Sequence, residues 1–148
     1  MGPAKILLVD DTAEIRTLVG KILTNQGYEV MEACDGPSAL AACKRAKGEI
    51  DLLLTDIKMP GMGGVELAYS VTASYPSIPV LFISGQCDES EIREHVSARG
   101  FGFLSKPFMP QLLIETVKEI LLRAAKRPPG SSQASSRNTL ERKKRQIS

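Results

Sequence analysis

The sequence predicts an α/β domain in which a parallel five-stranded sheet lies between two layers of helices. Short apolar runs alternate along the chain with stretches of helical periodicity, and this alternation is typical of successive βα units. The run at residues 52–54 consists of leucines only, as expected for a strand that helices cover on both faces. Right-handed crossovers between parallel strands leave few topologies. The sequence therefore predicts a doubly wound, three-layer sandwich.

The predicted strands are the short apolar runs. They are expected at residues 5–9, 29–33, 52–55, 80–84 and 101–104. The glycine-rich segment 59–64 cannot continue the third strand and must form a loop, and Pro76 and Pro79 bracket the turn into the fourth. We predict the strand order 2-1-3-4-5, which is the flavodoxin-like topology.

The predicted helices follow the strands, at residues 12–25, 38–46, 65–74, 89–98 and 110–125. Gly27 lies just past the end of the first helix. One face of that helix is expected to be apolar and to consist of Ile15, Leu18, Val19, Ile22 and Leu23. Pro110 is suited to the first turn of the fifth helix. The inward residues of the fifth helix are predicted to be Leu113, Val117, Ile120 and Leu121.

The charge of the chain is unevenly distributed. Residues 1–122 carry 11 Lys and Arg against 16 Asp and Glu, whereas residues 123–148 carry eight against one. From Pro128 the chain is rich in proline, serine and glycine, and such a composition has too little apolar surface to order itself. We therefore expect an acidic folded domain at residues 4–127 and a basic, disordered tail at residues 128–148.

The composition excludes several classes of protein. With 148 residues, of which 43% are hydrophobic and 24% charged, the chain is long enough for one buried core. No apolar run approaches the roughly 18 residues that span a bilayer, and we expect no signal segment before the first strand. The three cysteines lack metal-ligand spacing and are expected to be free thiols. A cytoplasmic location is expected.

Polar residues with complementary chemistry stand at the ends of four predicted strands: Asp10 and Asp11, Asp56, Ser84, and Lys106. The carboxyl ends of neighbouring parallel strands line one crevice, so these side chains are expected to converge. Each residue alone has a structural interpretation, such as a helix cap for Asp11 or a solvated surface lysine for Lys106. Their joint occurrence favours a site for Mg²⁺, which prefers oxygen ligands, and for a phosphoryl group.

The motifs around these residues resemble the receiver domain of bacterial two-component response regulators. The resemblance covers residues 4 to about 124 in order and spacing, with the flavodoxin-like fold that we predict from the elements. It rests on Val9-Asp10-Asp11, on Asp56 with the loop 59–64 behind it, on Ser84-Gly85 and on Lys106-Pro107-Phe108.

The resemblance implies a phosphorylation site with a bound Mg²⁺. Asp56 would accept a phosphoryl group from a phosphohistidine of a sensor histidine kinase or a phosphotransfer protein. Asp11 and Asp56 would ligate Mg²⁺ directly, Asp10 would act through water, and the main-chain carbonyl of Lys58 would complete the protein ligands. Lys106 would pair with Asp56 and then with a phosphoryl oxygen. The peptide bond between Lys106 and Pro107 is expected to be cis.

The resemblance also implies how the signal leaves the site. Ser84 would move toward the phosphoryl group, and Phe103 would rotate inward; the alternative is that Phe103 is a permanent core residue. Lys58 and Gln86 would flank the phosphoryl group and set its lifetime. A downstream protein partner would bind the face formed by helix four, strand five and helix five, where Ile92 and Val96 are candidate contacts.

Two alternatives to a stand-alone or near stand-alone receiver remain open, and a third is rejected. The basic tail, with Arg137 and residues 142–145, could bind nucleic acid or a membrane surface, although it has no aromatic residue to stack on bases. The chain could also be a receiver fragment of a hybrid histidine kinase or phosphorelay. A phosphatase of the haloacid dehalogenase type is rejected, because its pattern needs an aspartate where Lys58 stands. We therefore expect a signalling module and not a turnover enzyme.

Overall fold

A computed structural model describes residues 2–85, 92–94, 96 and 99–125. The predicted basic tail, Gln86 and part of the predicted fourth helix lie outside these residues. Within them, no helix is both long enough and apolar enough to cross a membrane.

The sheet has the predicted architecture. Its five strands are parallel, and they are β1 (Lys5–Val9), β2 (Glu29–Ala33), β3 (Leu52–Asp56), β4 (Val80–Ser84) and β5 (Gly102–Ser105). Their order is β2-β1-β3-β4-β5, which confirms the predicted flavodoxin-like topology. The pairing places Val9 opposite Thr55, and Asp56 opposite Ile83. The carboxyl ends of the inner strands therefore meet at one edge of the sheet.

The helices are α1 (Ala13–Asn25), α2 (Gly36–Arg45), α3 (Gly64–Ser74) and a C-terminal helix (Pro110–Ala125). Residues 92–94, 96 and 99 are also helical. Helix α2 begins two residues earlier than predicted because the Asp35 side chain accepts a hydrogen bond from the Ser38 N–H at 2.8 Å, and an aspartate N-cap stabilises the first turn.

Two hydrophobic layers hold the helices on the sheet. Helices α2 and α3 pack on one face, and α1 and the C-terminal helix pack on the other. Alternate residues of each inner strand supply the two layers: Leu7 and Leu53 point to the first, and Leu8 and Leu54 to the second. Covering by helices on both faces explains why the inner strands are apolar along most of their length.

Two apolar residues do not lie where the sequence predicted. Leu18 was expected on the buried face of α1 but is 57% exposed, whereas Val19 and Leu23 are buried. The apolar face of α1 is therefore narrower than the periodicity suggested. Ile92 was a candidate contact for a partner, but it is only 3% exposed and belongs to the interior. Val96 is half-buried and packs against the core.

Candidate functional site

Three carboxylates converge at the carboxyl edge of the sheet, where the sequence predicted a site. Asp10 and Asp11 follow β1, and Asp56 is the last residue of β3. One oxygen from each of the three lies within 4.8 Å of the others. Asp10 and Asp56 are buried and Asp11 is exposed, so the cluster faces solvent on one side. Oxygen ligands at this spacing fit a hard divalent cation such as Mg²⁺.

Asp10 is held through its main chain and its side chain. Its N–H donates to the Ala33 carbonyl of β2 at 3.2 Å. Its Oδ1 accepts from the Thr12 N–H at 2.9 Å, and its Oδ2 lies 3.2 Å from Lys106 Nζ. Both carboxylate oxygens of Asp10 therefore already accept a hydrogen bond from the protein, and the position of this group is fixed.

Asp56 is anchored by the residues on either side of it. The Ile57 N–H donates to Asp56 Oδ1 at 2.7 Å, and the Thr55 hydroxyl donates to the Asp56 carbonyl at 2.8 Å. Burial raises the pKa of Asp56, and the neighbouring Asp10 and Asp11 raise it further, while Lys106 and the Ile57 N–H oppose the rise. A positive charge in the site therefore favours the ionised form of Asp56.

Lys106 brings a cation to the two buried carboxylates. Its Nζ lies 3.2 Å from Asp10 Oδ2 and 3.6 Å from Asp56 Oδ2. The sequence predicted a pairing with Asp56, whereas the shorter contact is with Asp10. The Lys106 N–H donates to the Ser84 carbonyl at 2.9 Å, which ties the end of β5 to the end of β4. The peptide bond between Lys106 and Pro107 is cis, as expected.

The loop after Asp56 approaches the site closely because it contains glycine. A Cβ atom at Gly64 would lie only 2.0 Å from the Asp56 carbonyl oxygen, and the Gly64 N–H donates to the Ile57 carbonyl at 2.8 Å. A side chain at this position would push α3 away from the end of β3. Lys58 lies in this loop and is exposed.

The residues predicted to relay the signal lie on β4 and β5. Ser84 is buried at the end of β4 and pairs in register with Ser105. Phe103 is half-buried on β5, opposite the fully buried Phe82. Phe103 is therefore neither fully exposed nor a fully buried core residue. Gln86 lies outside the described residues.

Arg16 makes a contact at the site that the sequence pattern did not reveal. Its Nη1 donates to the main-chain carbonyl of Asp10 at 2.6 Å. Arg16 is the fourth residue of α1, near the positive end of the helix dipole, where a cation is disfavoured. That placement was the available signal in the sequence, although it does not identify the partner of this arginine.

The comparisons with known proteins agree with this geometry. The family model of the response regulator receiver domain matches residues 6–118. The chain belongs to this family. Receiver domains are signalling modules of two-component systems and not turnover enzymes, and they generally use Mg²⁺ at an acidic pocket.

Individual relatives of this receiver domain differ in size. The chain is 37% identical over 120 residues to the sensor kinase CckA of Brucella abortus, covering 81% of the chain but 13% of the kinase. It is 35% identical over 122 residues to the chemotaxis protein CheY of Pseudomonas aeruginosa, covering 80% of the chain and 97% of CheY. A CheY-like receiver domain from Methanospirillum hungatei superposes with a TM-score of 0.78 at 30% identity, covering 86% of this chain and all of that one (100%).

Proposed function

We propose that this receiver domain accepts a phosphoryl group on Asp56 and passes the signal to a protein partner through a change of conformation. The observation that carries the proposal is the position of Lys106, whose Nζ lies 3.2 Å from Asp10 and 3.6 Å from Asp56. A cation beside clustered carboxylates is the arrangement that a transferring phosphoryl group requires, because catalysis of this transfer consists mainly of positioning and charge neutralisation.

The acidic cluster is suited to hold Mg²⁺. In this proposal Asp11 and Asp56 ligate the ion directly, and the main-chain carbonyl of Lys58 is a further ligand. Asp10 acts through water, since its two carboxylate oxygens already accept hydrogen bonds from Thr12 and Lys106. When bound, the ion neutralises negative charge on the phosphoryl oxygens.

The transfer itself is a displacement at phosphorus. A carboxylate oxygen of Asp56 forms a bond to phosphorus while the N–P bond of the donor phosphohistidine breaks, and the electron pair stays on the imidazole nitrogen. Lys106 then pairs with a phosphoryl oxygen, and Ser84 donates its hydroxyl hydrogen to another. Ser84 lies at the end of β4, next to the main chain of Lys106, which supports this role.

We propose that Phe103 carries the change toward the surface. Phe103 is half-buried, so it can turn further inward when Ser84 moves toward the phosphoryl group. The surface that responds is the face predicted for helix four, strand five and helix five, and its described parts are residues 92–94, 96, 99 and 100, β5 and the C-terminal helix. Lys58 and Gln86 are proposed to set the lifetime of the aspartyl phosphate by blocking or orienting the attacking water.

The proposed partners follow from this chemistry. The phosphoryl donor is a sensor histidine kinase or a histidine phosphotransfer protein, and the receiver of the signal is a protein. A cytoplasmic location is part of the proposal, because it would place Asp56 where such donors present their phosphohistidine.

The experiment is intact-protein mass spectrometry after incubation with acetyl phosphate and Mg²⁺. We expect one phosphoryl adduct, which is absent with a chelator and absent in Asp56→Asn. Asp51→Asn is a matched control, since Asp51 precedes the opposite end of the same strand and is exposed; it should keep the adduct. An adduct that survives in Asp56→Asn would contradict the assigned acceptor.

A second candidate is a relay receiver that hands the phosphoryl group on to another histidine. The similarity to the receiver domain of the hybrid histidine kinase CckA, at 36% identity, favours it. Phosphorylated protein freed of acetyl phosphate would be mixed with purified histidine phosphotransfer domains. Transfer of the label to histidine supports the relay, and a decay unchanged by these domains argues for a CheY-like terminal receiver.

A further inference from the structure

The side chain of Arg16 connects the acidic cluster to the edge of the sheet. Its Nη1 donates to the Asp10 carbonyl at 2.6 Å, and its Nε lies 3.6 Å from Glu32 Oε1 on β2. Only 19% of the Arg16 side chain is exposed, against 46% of the Glu32 side chain, so water screens the contact with the Asp10 carbonyl less than it screens the pair with Glu32. The carbonyl that Arg16 holds belongs to the peptide group between Asp10 and Asp11.

The space for this connection is built into α1. Gly20 lies one helical turn after Arg16, and a Cβ atom there would lie 3.3 Å from Glu32 Oε2. Glycine inside a helix costs about 1 kcal/mol relative to alanine, so its presence needs a packing reason. The close approach of the Glu32 carboxylate to α1 supplies that reason.

We propose that Arg16 is a positioning residue for Mg²⁺, and that Glu32 holds Arg16 in place; this inference rests on the proposed function. By fixing the peptide between the two aspartates, Arg16 sets the direction in which the Asp11 carboxylate leaves the main chain. Asp11 is exposed, so the main chain is the part of this ligand that the protein can orient. Groups that orient metal ligands are worth about 10-fold to 100-fold in metal affinity.

Positioning and electrostatics predict effects of opposite sign. Arg16 is a cation near an acidic cluster, so its charge alone repels Mg²⁺ and its removal would tighten Mg²⁺ binding. If Arg16 instead serves to orient the peptide, its removal weakens Mg²⁺ binding. The direction of the change therefore separates positioning from a simple charge effect.

The test is the Mg²⁺ dissociation constant of the full chain, measured by calorimetry. We expect Arg16→Met to weaken Mg²⁺ binding about 10-fold. Arg16→Lys keeps the charge and one donor and should recover part of this loss. Lys21→Met removes a cation from an exposed position of the same helix and should leave the constant within about twofold of the wild type. Unchanged or tighter binding in Arg16→Met would overturn the inference.

Two further measurements keep the inference separate from folding and from the proposed function. Urea unfolding with chelator shows whether Arg16→Met is folded. If it is not, Arg16→Lys takes its place because it keeps the charge, with an expected loss of about threefold in Mg²⁺ affinity and no change as the contrary result. If the wild type binds no Mg²⁺, the proposed function fails as well. If the wild type binds and the variant binds equally well, only the role of Arg16 is refuted.

Discussion

The inner and edge strands of this sheet differ in how firmly they hold their residues. Every residue of β3 and β4 is buried, as is every residue of β1 after Lys5. In the edge strands β2 and β5 only Ala33 and Leu104 are buried. The inner strands are thus covered on both faces and paired along both edges, whereas each edge strand pairs with the sheet along one edge.

This difference divides the site into two parts. Asp10 and Asp56 come from inner strands and are fixed by main-chain contacts, while Lys106 arrives from the end of an edge strand. A rigid pair of carboxylates thus faces the ammonium group of Lys106, which follows the less tightly packed strand β5. We infer that the two carboxylates hold the metal ion in a fixed place, and that the end of β5 with Lys106 can move when a phosphoryl group arrives.

The largest expected effect is a loss of stability, and it distinguishes two phenylalanines that are paired across β4 and β5. Phe82 is fully buried on the inner strand, and Phe103 is half-buried on the edge strand in the same register. Phe82→Ala should lower the free energy of unfolding by about 3–5 kcal/mol, and Phe103→Ala by about 1–2 kcal/mol. Urea unfolding measures both. Equal losses would contradict the distinction between inner and edge strands.

The next effect concerns the contact between α3 and the end of β3. Gly64→Ala places a Cβ atom 2.0 Å from the Asp56 carbonyl oxygen, so the helix or the strand end must shift, at about 2–3 kcal/mol. The displacement of Asp56 should slow phosphorylation by acetyl phosphate about 100-fold.

A control variant in the same loop separates this clash from backbone strain. Gly61 has φ +76° and no atom within 4 Å of an added Cβ. Gly61→Ala should therefore cost about 1 kcal/mol from the left-handed conformation alone and leave Asp56 in place. A phosphorylation rate as low as that of Gly64→Ala would show that loop conformation matters and not the close contact.

Lys106→Met tests the cation that the edge strand brings to the site. Its loss leaves two buried carboxylates without their partner, which should lower the free energy of unfolding by about 1–2 kcal/mol in chelator. This loss is smaller than that for a fully buried pair because Lys106 is partly exposed. Added Mg²⁺ should remove most of this cost by replacing the lost charge. Urea unfolding with and without Mg²⁺ measures it, and Lys118→Met, an exposed position, is the control. An equal cost in both solutions would refute the role of charge.

The sequence predicted the bounds of the inner strands better than it predicted which helix residues are buried. β1 and β4 have the predicted bounds and β3 extends one residue further than predicted, to Asp56, because runs of apolar residues in a doubly covered sheet leave little choice. Leu18 was misplaced because periodicity does not reveal how wide the buried face of a helix is. Ile92 was misplaced because a single apolar residue in a polar helix can serve the core as well as a partner.

The site was predicted in the same uneven way. Asp10, Asp11, Asp56 and Lys106 converge as expected because strand ends share one edge. Arg16 was missed because its partner is a main-chain carbonyl, and main-chain groups have no identity in a sequence. The shorter contact of Lys106 with Asp10 depends on side-chain conformations that spacing does not encode.

The smallest expected effect is a pH dependence that distinguishes the buried Asp56 from an exposed aspartate. The pKa of Asp56 is raised above its ordinary 3.8, mainly by burial. In chelator, the wild type therefore loses stability as pH rises from about 3.8 through the raised pKa of the folded state. Asp56→Asn removes this loss and should melt a few degrees higher at pH 7, with no advantage below about pH 4. The pKa of Asp35 is lowered below 3.8 by its hydrogen bonds with Ser38, so the wild type gains stability as pH rises from that lowered pKa to about 3.8. Asp35→Asn should lack this gain and melt lower than the wild type at pH 7. Thermal unfolding from pH 3 to pH 7 measures both, and the same sign for the two variants would show that burial does not control the charge of Asp56.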